Sequence, residues 1–334
     1  MRQWTASSLI ALSGQYWESC ALQAAVRLDV FSPLAEGPLE VEELAARVGC
    51  APEPAARLIT ALCALGLLRR EGETCALEPG ARRWLCRDSP DYVGHIIEHH
   101  RHLMPAWARL DEAVRSGLPV RARTSVETSD EAERASFLMG MRNIADAQAA
   151  RSVPQIDLSG RRRLLDLGGA TGAYAIHFCR ANPGLTATVF DLPTTRPFAE
   201  KVIEEEGMAD RVRFVGGDFT RDGLPGEFDV AWLSQILHGE GMEASRRLVI
   251  KAARALAPGG LLLIQEFILD DDRNGPVHPA LFDLNMLVGT PKGQSFTEAE
   301  LAVMMEAAGL ASIRRLPVQL PQGCGIMAGV VPES

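Results

Sequence analysis

Apolar and polar residues follow three different patterns along the chain, and each pattern predicts a different structure. From about residue 7 to 87 they predict short helices followed by two strands that turn at Glu71-Gly72-Glu73. This order is the winged-helix pattern, which we assign to residues 1–90. We interpret the apolar stripe of its first long helix as a dimer or interdomain surface; the stripe comprises Leu22, Val26, Val30 and Phe31.

The pattern over residues 91–160 predicts long helices that connect the two halves of the chain and supply part of a substrate pocket. His95, His99 and His102 lie on one face of the first of these helices, at positions i, i+4 and i+7. An i, i+4 histidine pair can bind a metal. Because no third kind of ligand stands nearby, we predict no metal and expect these histidines to line the pocket or to face solvent.

Residues 161–334 alternate between apolar strands and amphipathic helices. This alternation predicts an α/β fold with a doubly wound, Rossmann-like parallel sheet, which binds ligands at the carboxyl ends of its strands. The last two apolar segments, ASIRRLPV and GIMAGVV, predict a closing antiparallel hairpin.

Charge and cysteine content narrow the function classes. The formal net charge is -9 and the pI is about 5.4, which argues against nucleic-acid and anionic-membrane partners. No apolar run is long enough to span a membrane. The seven scattered cysteines suggest reduced thiols in the cytoplasm.

A winged helix nevertheless raises the hypothesis of a DNA-binding regulator that senses a ligand. Residues 1–90 hold eleven acidic and nine basic side chains, and the second helix of the motif begins Glu53-Pro54-Ala55-Ala56-Arg57. One arginine beside a glutamate is a poor match for phosphates. A regulator is therefore kept only as the alternative to an enzyme.

Acidic residues end three successive predicted strands of the third region. Asp166 precedes the glycines of Gly168-Gly169-Ala170-Thr171-Gly172, Asp191 follows 19 positions after Gly172, and Asp218-Phe219 ends the next strand. A glycine loop lets a ligand approach the backbone, and an acid at the following strand can bind ribose hydroxyls. The pattern predicts a nucleoside site. A carboxylate at position 166 suits the cationic methionine end of S-adenosylmethionine better than the pyrophosphate of NAD.

The segments DLGGATG, FDLP, GGDF, SQILH and APGGLLLIQEF resemble, in order and spacing, the plant and bacterial small-molecule O-methyltransferases. That group includes caffeic acid, acetylserotonin and polyketide-tailoring enzymes. The resemblance covers nearly the whole chain and implies S-adenosylmethionine as the cofactor and a winged-helix domain that forms a homodimer. The cofactor site would comprise Asp166, Gly168, Gly169, Gly172, Asp191, Leu192, Asp218, Phe219 and Ser234.

The same resemblance implies that His238 is the general base and that Glu266 orients it. A carboxylate on one imidazole nitrogen leaves the other basic, and such a base can assist deprotonation of a phenol. The chain departs from the family in four places. Ser234 replaces a frequent lysine, and Ala170 stands where many members have glycine. Gly239-Glu240 stands where Asp-Trp is common, and Ser295 aligns with a second family glutamate.

A substrate pocket is expected among helices that carry methionines and aromatic residues, which suit a flat apolar acceptor. Plain helix core explains the same pattern equally well. The candidates are Met104, Trp107, Met141, Phe282, Asp283, Asn285 and Met286. The main interpretation is O-methylation of a phenolic or enolic small molecule. The alternatives on the same fold are C- or N-methylation, and a tailoring reaction without methyl transfer.

Overall fold

The computed structural model describes residues 3–121 and 131–333. The chain divides into two compact units, Met1–Met104 and Pro105–Ser334. The division falls inside a helix, whereas the sequence predicted a separate connecting segment over residues 91–160. Within the described residues, no helix is long and apolar enough to cross a membrane.

The N-terminal unit contains the predicted helices and hairpin. Its three strands form an antiparallel sheet in the order β1-β3-β2, and Gly72, with φ 63°, makes the turn between Glu71 and Thr74. The elements of the unit are α1 (Ala6–Gly14), α2 (Tyr16–Arg27), β1 (Leu39–Glu40), α3 (Val41–Arg47), α4 (Pro52–Ala64), β2 (Leu68–Glu71), β3 (Thr74–Leu77), α5 (Pro79–Leu85) and most of α6 (Gly94–Trp107).

The apolar stripe of the first long helix is part of the core of this unit, so its interpretation as a dimer or interdomain surface was wrong. α2 ends at Arg27, and the chain then turns inward, so that Val26, Val30 and Phe31 are buried among α3 and α4. The exposed apolar surface belongs instead to the preceding helix. α1 has no buried residue, and Ile10 is 72% exposed.

The C-terminal unit is built on one large sheet with the strand order β10-β11-β8-β7-β4-β5-β6. Its strands are β4 (Arg163–Leu167), β5 (Thr186–Asp191), β6 (Val212–Gly216), β7 (Phe228–Ser234), β8 (Leu256–Leu269), β9 (Phe296–Thr297), β10 (Ala311–Arg315) and β11 (Cys324–Val330). The five strands from β8 to β6 are parallel. β11 runs antiparallel to β8 and to β10, which confirms the predicted hairpin, and the short β9 also pairs with β8.

Helices cover both faces of this sheet because its central strands are apolar on both sides. On β4, Leu164 faces the core shared with α9 and α10, and Leu165 faces the core shared with α11 and α13. This arrangement confirms the doubly wound fold. The helices of the unit are α7 (Leu110–Ser116), α8 (Glu131–Ser152), α9 (Ala173–Ala181), α10 (Arg196–Glu205), α11 (Met242–Arg254), α12 (Val277–Gly289) and α13 (Glu298–Ala307).

Candidate active site

The carboxyl ends of the five parallel strands meet at one edge of the sheet, and most of the predicted site residues stand there. The glycine loop joins β4 to α9, and its backbone has a left-handed conformation at Gly168 (φ 69°) and Gly172 (φ 80°). A side chain at position 168 would lie 2.7 Å from Cγ2 of Ile236. Only glycine therefore fits there without displacing Ile236.

Ala170, in the same loop, also adopts a left-handed φ, of 47°. This conformation costs an L-residue roughly 1–2 kcal/mol. The hydrogen bond that its N–H donates to Oδ2 of Asp191 (2.8 Å) supports it.

Asp191 fastens the glycine loop to the end of β5. Besides the contact from Ala170, its Oδ1 accepts hydrogen bonds from the N–H of Leu192 (2.7 Å) and the hydroxyl of Thr195 (3.3 Å). Burial raises the pKa of this carboxyl, and the three hydrogen bonds act in the opposite direction. Carboxylate oxygens can accept further hydrogen bonds from ribose hydroxyls.

Asp166 lies beneath the loop. Its carboxylate occupies the place where a side chain on Gly169 would stand, since Cγ is 2.4 Å from that position. Oδ2 accepts a hydrogen bond from the N–H of Ala175 in the first turn of α9 (3.2 Å). Complete burial raises the pKa of Asp166 to about 7, assisted by the charge of Asp191 and opposed by the Ala175 hydrogen bond.

Asp218 and Phe219 begin the loop after β6. Asp218 Oδ1 accepts hydrogen bonds from the N–H (2.8 Å) and the hydroxyl (2.6 Å) of Thr220. Burial acts to raise the pKa of Asp218, but these bonds and the charge of Arg221 outweigh it and hold the pKa below its usual value. The Phe219 ring reaches the glycine loop, because its Cε1 lies 3.4 Å from the position of a side chain on Gly168.

Ser234, at the end of β7, belongs to a polar cluster that the sequence did not reveal. Nε2 of the buried Gln265 lies 3.2 Å from the Ser234 hydroxyl, 2.6 Å from that of Tyr174 and 2.8 Å from Oε1 of Gln148. Among the described residues, Oε1 of Gln265 has no hydrogen-bond partner. The cluster joins side chains from four elements, α8, α9, β7 and β8, so spacing along the chain gave no signal for it.

His238 and Glu266 form the closest acid–base pair at this edge. His238 Nδ1 lies 2.7 Å from Glu266 Oε2, and Glu266 Oε1 accepts a hydrogen bond from the N–H of Leu237 (2.9 Å). The Glu266 side chain is 2% exposed and that of His238 is 15% exposed, so the carboxylate is enclosed while the ring reaches the surface of the unit. An ionised carboxylate only accepts hydrogen bonds, and therefore Nδ1 is the donor.

α12 and the segment after it also contact His238. The Phe282 ring meets the imidazole edge to face, with 4.7 Å between ring centres. The N–H of Gln294 donates to the carbonyl of His238 (2.8 Å). Ser295, in the place of the second family glutamate, fastens this segment to α12: its N–H donates to Asp283 Oδ1 (2.6 Å) and its hydroxyl to the Pro279 carbonyl (3.0 Å).

The substrate-pocket candidates have different surroundings. Trp107 Nε1 donates to Asn285 Oδ1 (3.0 Å), a hydrogen bond within the C-terminal unit. Met286 is buried, as its interpretation as helix core requires, while Met141 is half-buried on α8. Met104 ends the N-terminal unit, and the other candidates lie in the C-terminal unit.

The predicted histidines His95, His99 and His102 lie on α6, in the part of it that belongs to the N-terminal unit. The ring of His95 packs edge to face on Tyr92 (5.3 Å between centres), and burial lowers its pKa, as does the charge of Arg87. In the part of the chain that the structure describes, no three His, Cys, Asp or Glu side chains are grouped so that they could hold a metal ion.

The geometry of this edge fits an adenosyl cofactor. Positive φ angles open the glycine loop, Asp191 stands beside it at the next strand, and the Phe219 ring lies on its other side. Residues 107–311 match the family model of the O-methyltransferase domain, and residues 10–87 match the O-methyltransferase dimerisation domain. The chain belongs to the O-methyltransferase family. It is an S-adenosylmethionine-dependent methyltransferase.

Individual relatives cover nearly the whole methyltransferase chain. It is 36% identical over 328 residues to a 3-hydroxy-5-methyl-1-naphthoate 3-O-methyltransferase of Streptomyces sahachiroi, which covers 96% of this chain and 94% of the relative. It is 37% identical over 323 residues to a tetracenomycin polyketide 8-O-methyltransferase of Streptomyces glaucescens, covering 95% of each. The structure of human N-acetylserotonin methyltransferase with S-adenosylmethionine has a TM-score of 0.87, 27% identity and 99% coverage of both chains.

We predict that Asp166→Asn stabilises the methyltransferase progressively as the pH rises from about 4 to about 7. The folded pKa of about 7 exceeds the ordinary aspartate value. Ionisation therefore favours the unfolded chain in this window, and the wild type loses roughly 1 kcal/mol per pH unit relative to the variant. Urea unfolding at several pH values measures the difference. A difference in the free energy of unfolding that stays constant with pH would contradict a raised pKa of the buried Asp166.

Proposed function

We propose that this methyltransferase methylates a hydroxyl of a phenolic or enolic small molecule, with His238 as the general base. The observation that supports the proposal most is the 2.7 Å contact between His238 Nδ1 and Glu266 Oε2. Because Nδ1 carries the proton, the Nε2 lone pair is available to accept one from an acceptor hydroxyl. Within the C-terminal unit, no described residue makes a hydrogen bond to Nε2.

Glu266 has two tasks in this mechanism. It holds the imidazole tautomer, and its negative charge stabilises the imidazolium that forms when Nε2 takes the proton. The N–H of Leu237 keeps the other carboxylate oxygen in place. Phe282 restricts rotation of the ring by packing against it.

The remaining residues of the edge would hold the cofactor, whose sulfonium supplies the methyl group for in-line displacement. Asp191 and Phe219 flank the loop of Gly168, Gly169 and Gly172, and are proposed to contact the adenosyl part together with Leu192 and Asp218. Asp166 stands at the carboxyl end of β4 and Ser234 at that of β7, and both are proposed to face the methionine part. Alignment of acceptor and methyl can contribute up to ~7–11 kcal/mol in ideal cases.

A flat aromatic acceptor of the polyketide type is the substrate class best supported. Two relatives at 36% and 37% identity are named for methylating a hydroxynaphthoate and a tetracenomycin polyketide. Beside His238, the Phe282 ring packs on Phe267 (4.7 Å between centres), which suits planar apolar ligands. N-methylation is the second candidate, because the chain is 31% identical over 315 residues to an N,N-dimethyltransferase of Streptomyces rimosus.

We expect His238→Ala to lower kcat for a hydroxynaphthoate by about 10²–10⁴-fold, the usual contribution of a general base. Formation of S-adenosylhomocysteine from S-adenosylmethionine measures turnover. Glu266→Gln should lower kcat less and change the pH profile, because an amide retains a hydrogen-bond acceptor but loses the charge. His177→Ala is the matched control, since this histidine pairs with Asp146 on α8.

A His238→Ala enzyme that turns over within about tenfold of the wild type would contradict the base assignment. A naphthylamine acceptor methylated faster than its hydroxyl analogue would favour N-methylation instead.

We infer that the enzyme forms a homodimer through its N-terminal unit, which matches the family's dimerisation domain. The exposed apolar side chains of α1 support the inference; they are Leu9, Ile10 and Leu12. Sedimentation should give about twice the chain mass of 36.2 kDa, and Ile10→Glu should shift the protein towards monomer. A monomeric wild type at micromolar concentration would contradict the homodimer.

We also propose a cytoplasmic location. All seven cysteines are free thiols, which is the state that a reducing compartment maintains. Titration of thiols in freshly isolated protein tests this proposal, and disulfide-bonded protein would count against it.

A further inference from the structure

The loop after β6 forms a single tight turn between Asp218 and Asp222. The N–H groups of Arg221 (3.0 Å) and Asp222 (2.7 Å) donate to the Asp218 carbonyl. In return, the Asp218 N–H donates to Oδ2 of Asp222 (2.8 Å). The turn thus satisfies these N–H groups internally, while the carbonyls of Phe219 and Asp222 take no part in these bonds and can accept donors from elsewhere.

Lys251 of α11 supplies these donors. Its Nζ donates to the Phe219 carbonyl (2.7 Å) and to the Asp222 carbonyl (2.8 Å), so that one ammonium joins both ends of the turn. Hydrogen bonds from a charged donor are roughly twice as strong as neutral ones. The Lys251 charge also acts to lower the pKa of Asp218.

This attachment matters because the other hydrogen bonds of the turn join Asp218 to Thr220, Arg221 and Asp222 within the turn itself. Thr220, Arg221, Asp222 and Gly223 are all exposed, while Phe219 is half-buried and packs on the core beneath α11. Without the ammonium, the Phe219 carbonyl and its ring would be free to move away from Gly168. Ligand binding would then have to order the loop, and affinity would fall by that entropic cost.

We propose that Lys251 is a positioning residue for the adenosyl part of the cofactor, acting through the backbone of Phe219 and Asp222. The inference rests on the proposed function, because it takes Asp218 and Phe219 as cofactor contacts. Lys251 itself touches the loop from the α11 side and would make no contact with the reacting atoms.

The test is calorimetric titration of two ligands into the wild type and Lys251→Met. S-adenosylhomocysteine carries both ends of the cofactor, whereas methylthioadenosine lacks the amino-acid end. We expect Lys251→Met, which keeps the alkyl chain and removes the ammonium, to weaken both ligands by the same factor of about ten. Lys251→Arg, which keeps a cation of similar reach, should restore most of the affinity.

Lys201→Met is the matched control. Lys201 lies exposed on α10, where its Nζ is 3.8 Å from Glu205, and we expect its substitution to leave both dissociation constants unchanged. A folded Lys251→Met protein with wild-type affinity would overturn the inference and leave the proposed function standing. Weaker binding of S-adenosylhomocysteine alone would also overturn it, because the effect would then lie at the methionine end.

A wild-type protein that binds neither ligand would overturn the proposed function and this inference together. Should Lys251→Met fail to fold by circular dichroism, Lys251→Gln keeps a polar head at the half-buried position and is judged by the same criteria. Lys251→Arg binding as weakly as Lys251→Met would likewise overturn the inference, since the cation would then not be what holds the loop.

Discussion

The contact between Glu266 and His238 is the interaction on which the rest of the active site depends. It joins two neighbouring strands that pair in parallel, with Ser234 opposite Gln265, so Glu266 lies one residue beyond the last paired position. The chain after β7 must therefore turn back within four residues to bring His238 to the carboxylate. Gln235 makes that turn with φ 55°, and its N–H donates to the Gln265 carbonyl (2.8 Å).

At the cofactor edge too, carboxylates accept hydrogen bonds from backbone N–H groups and do not face open solvent. Asp166 and Asp191 are both engaged by N–H groups of the glycine loop or of the helix that follows it. Their burial raises both pKa values, which is an energetic cost to the free protein. Polar or cationic groups of a bound cofactor would reduce this cost, and so binding and the organisation of the loop stabilise each other.

Much of this arrangement follows from local patterns in the sequence. Apolar runs that end near Asp166, Asp191 and Asp218 predict β4, β5 and β6, although β6 ends at Gly216, two residues before Asp218. The turn at Gly72 marks the N-terminal hairpin correctly. Local patterns do not tell which neighbour an apolar residue meets. Val30 and Phe31 therefore looked like an outer stripe, although the chain leaves the helix at Arg27 and buries them. Contacts such as those of Lys251 and Ser295 depend on how distant helices pack, which residue spacing does not encode.

The tautomer of His238 decides whether its Nε2 can act as the general base. Nitrogen-15 NMR of the enzyme with S-adenosylhomocysteine, at a pH well above the ordinary imidazole range, reports the proton on each ring nitrogen. We expect a protonated Nδ1 and an unprotonated Nε2 in the wild type, with this preference weakened in Glu266→Gln. A proton on Nε2 of the wild type would contradict the assignment of His238 as general base, because its Nε2 could not then accept the proton of the acceptor hydroxyl.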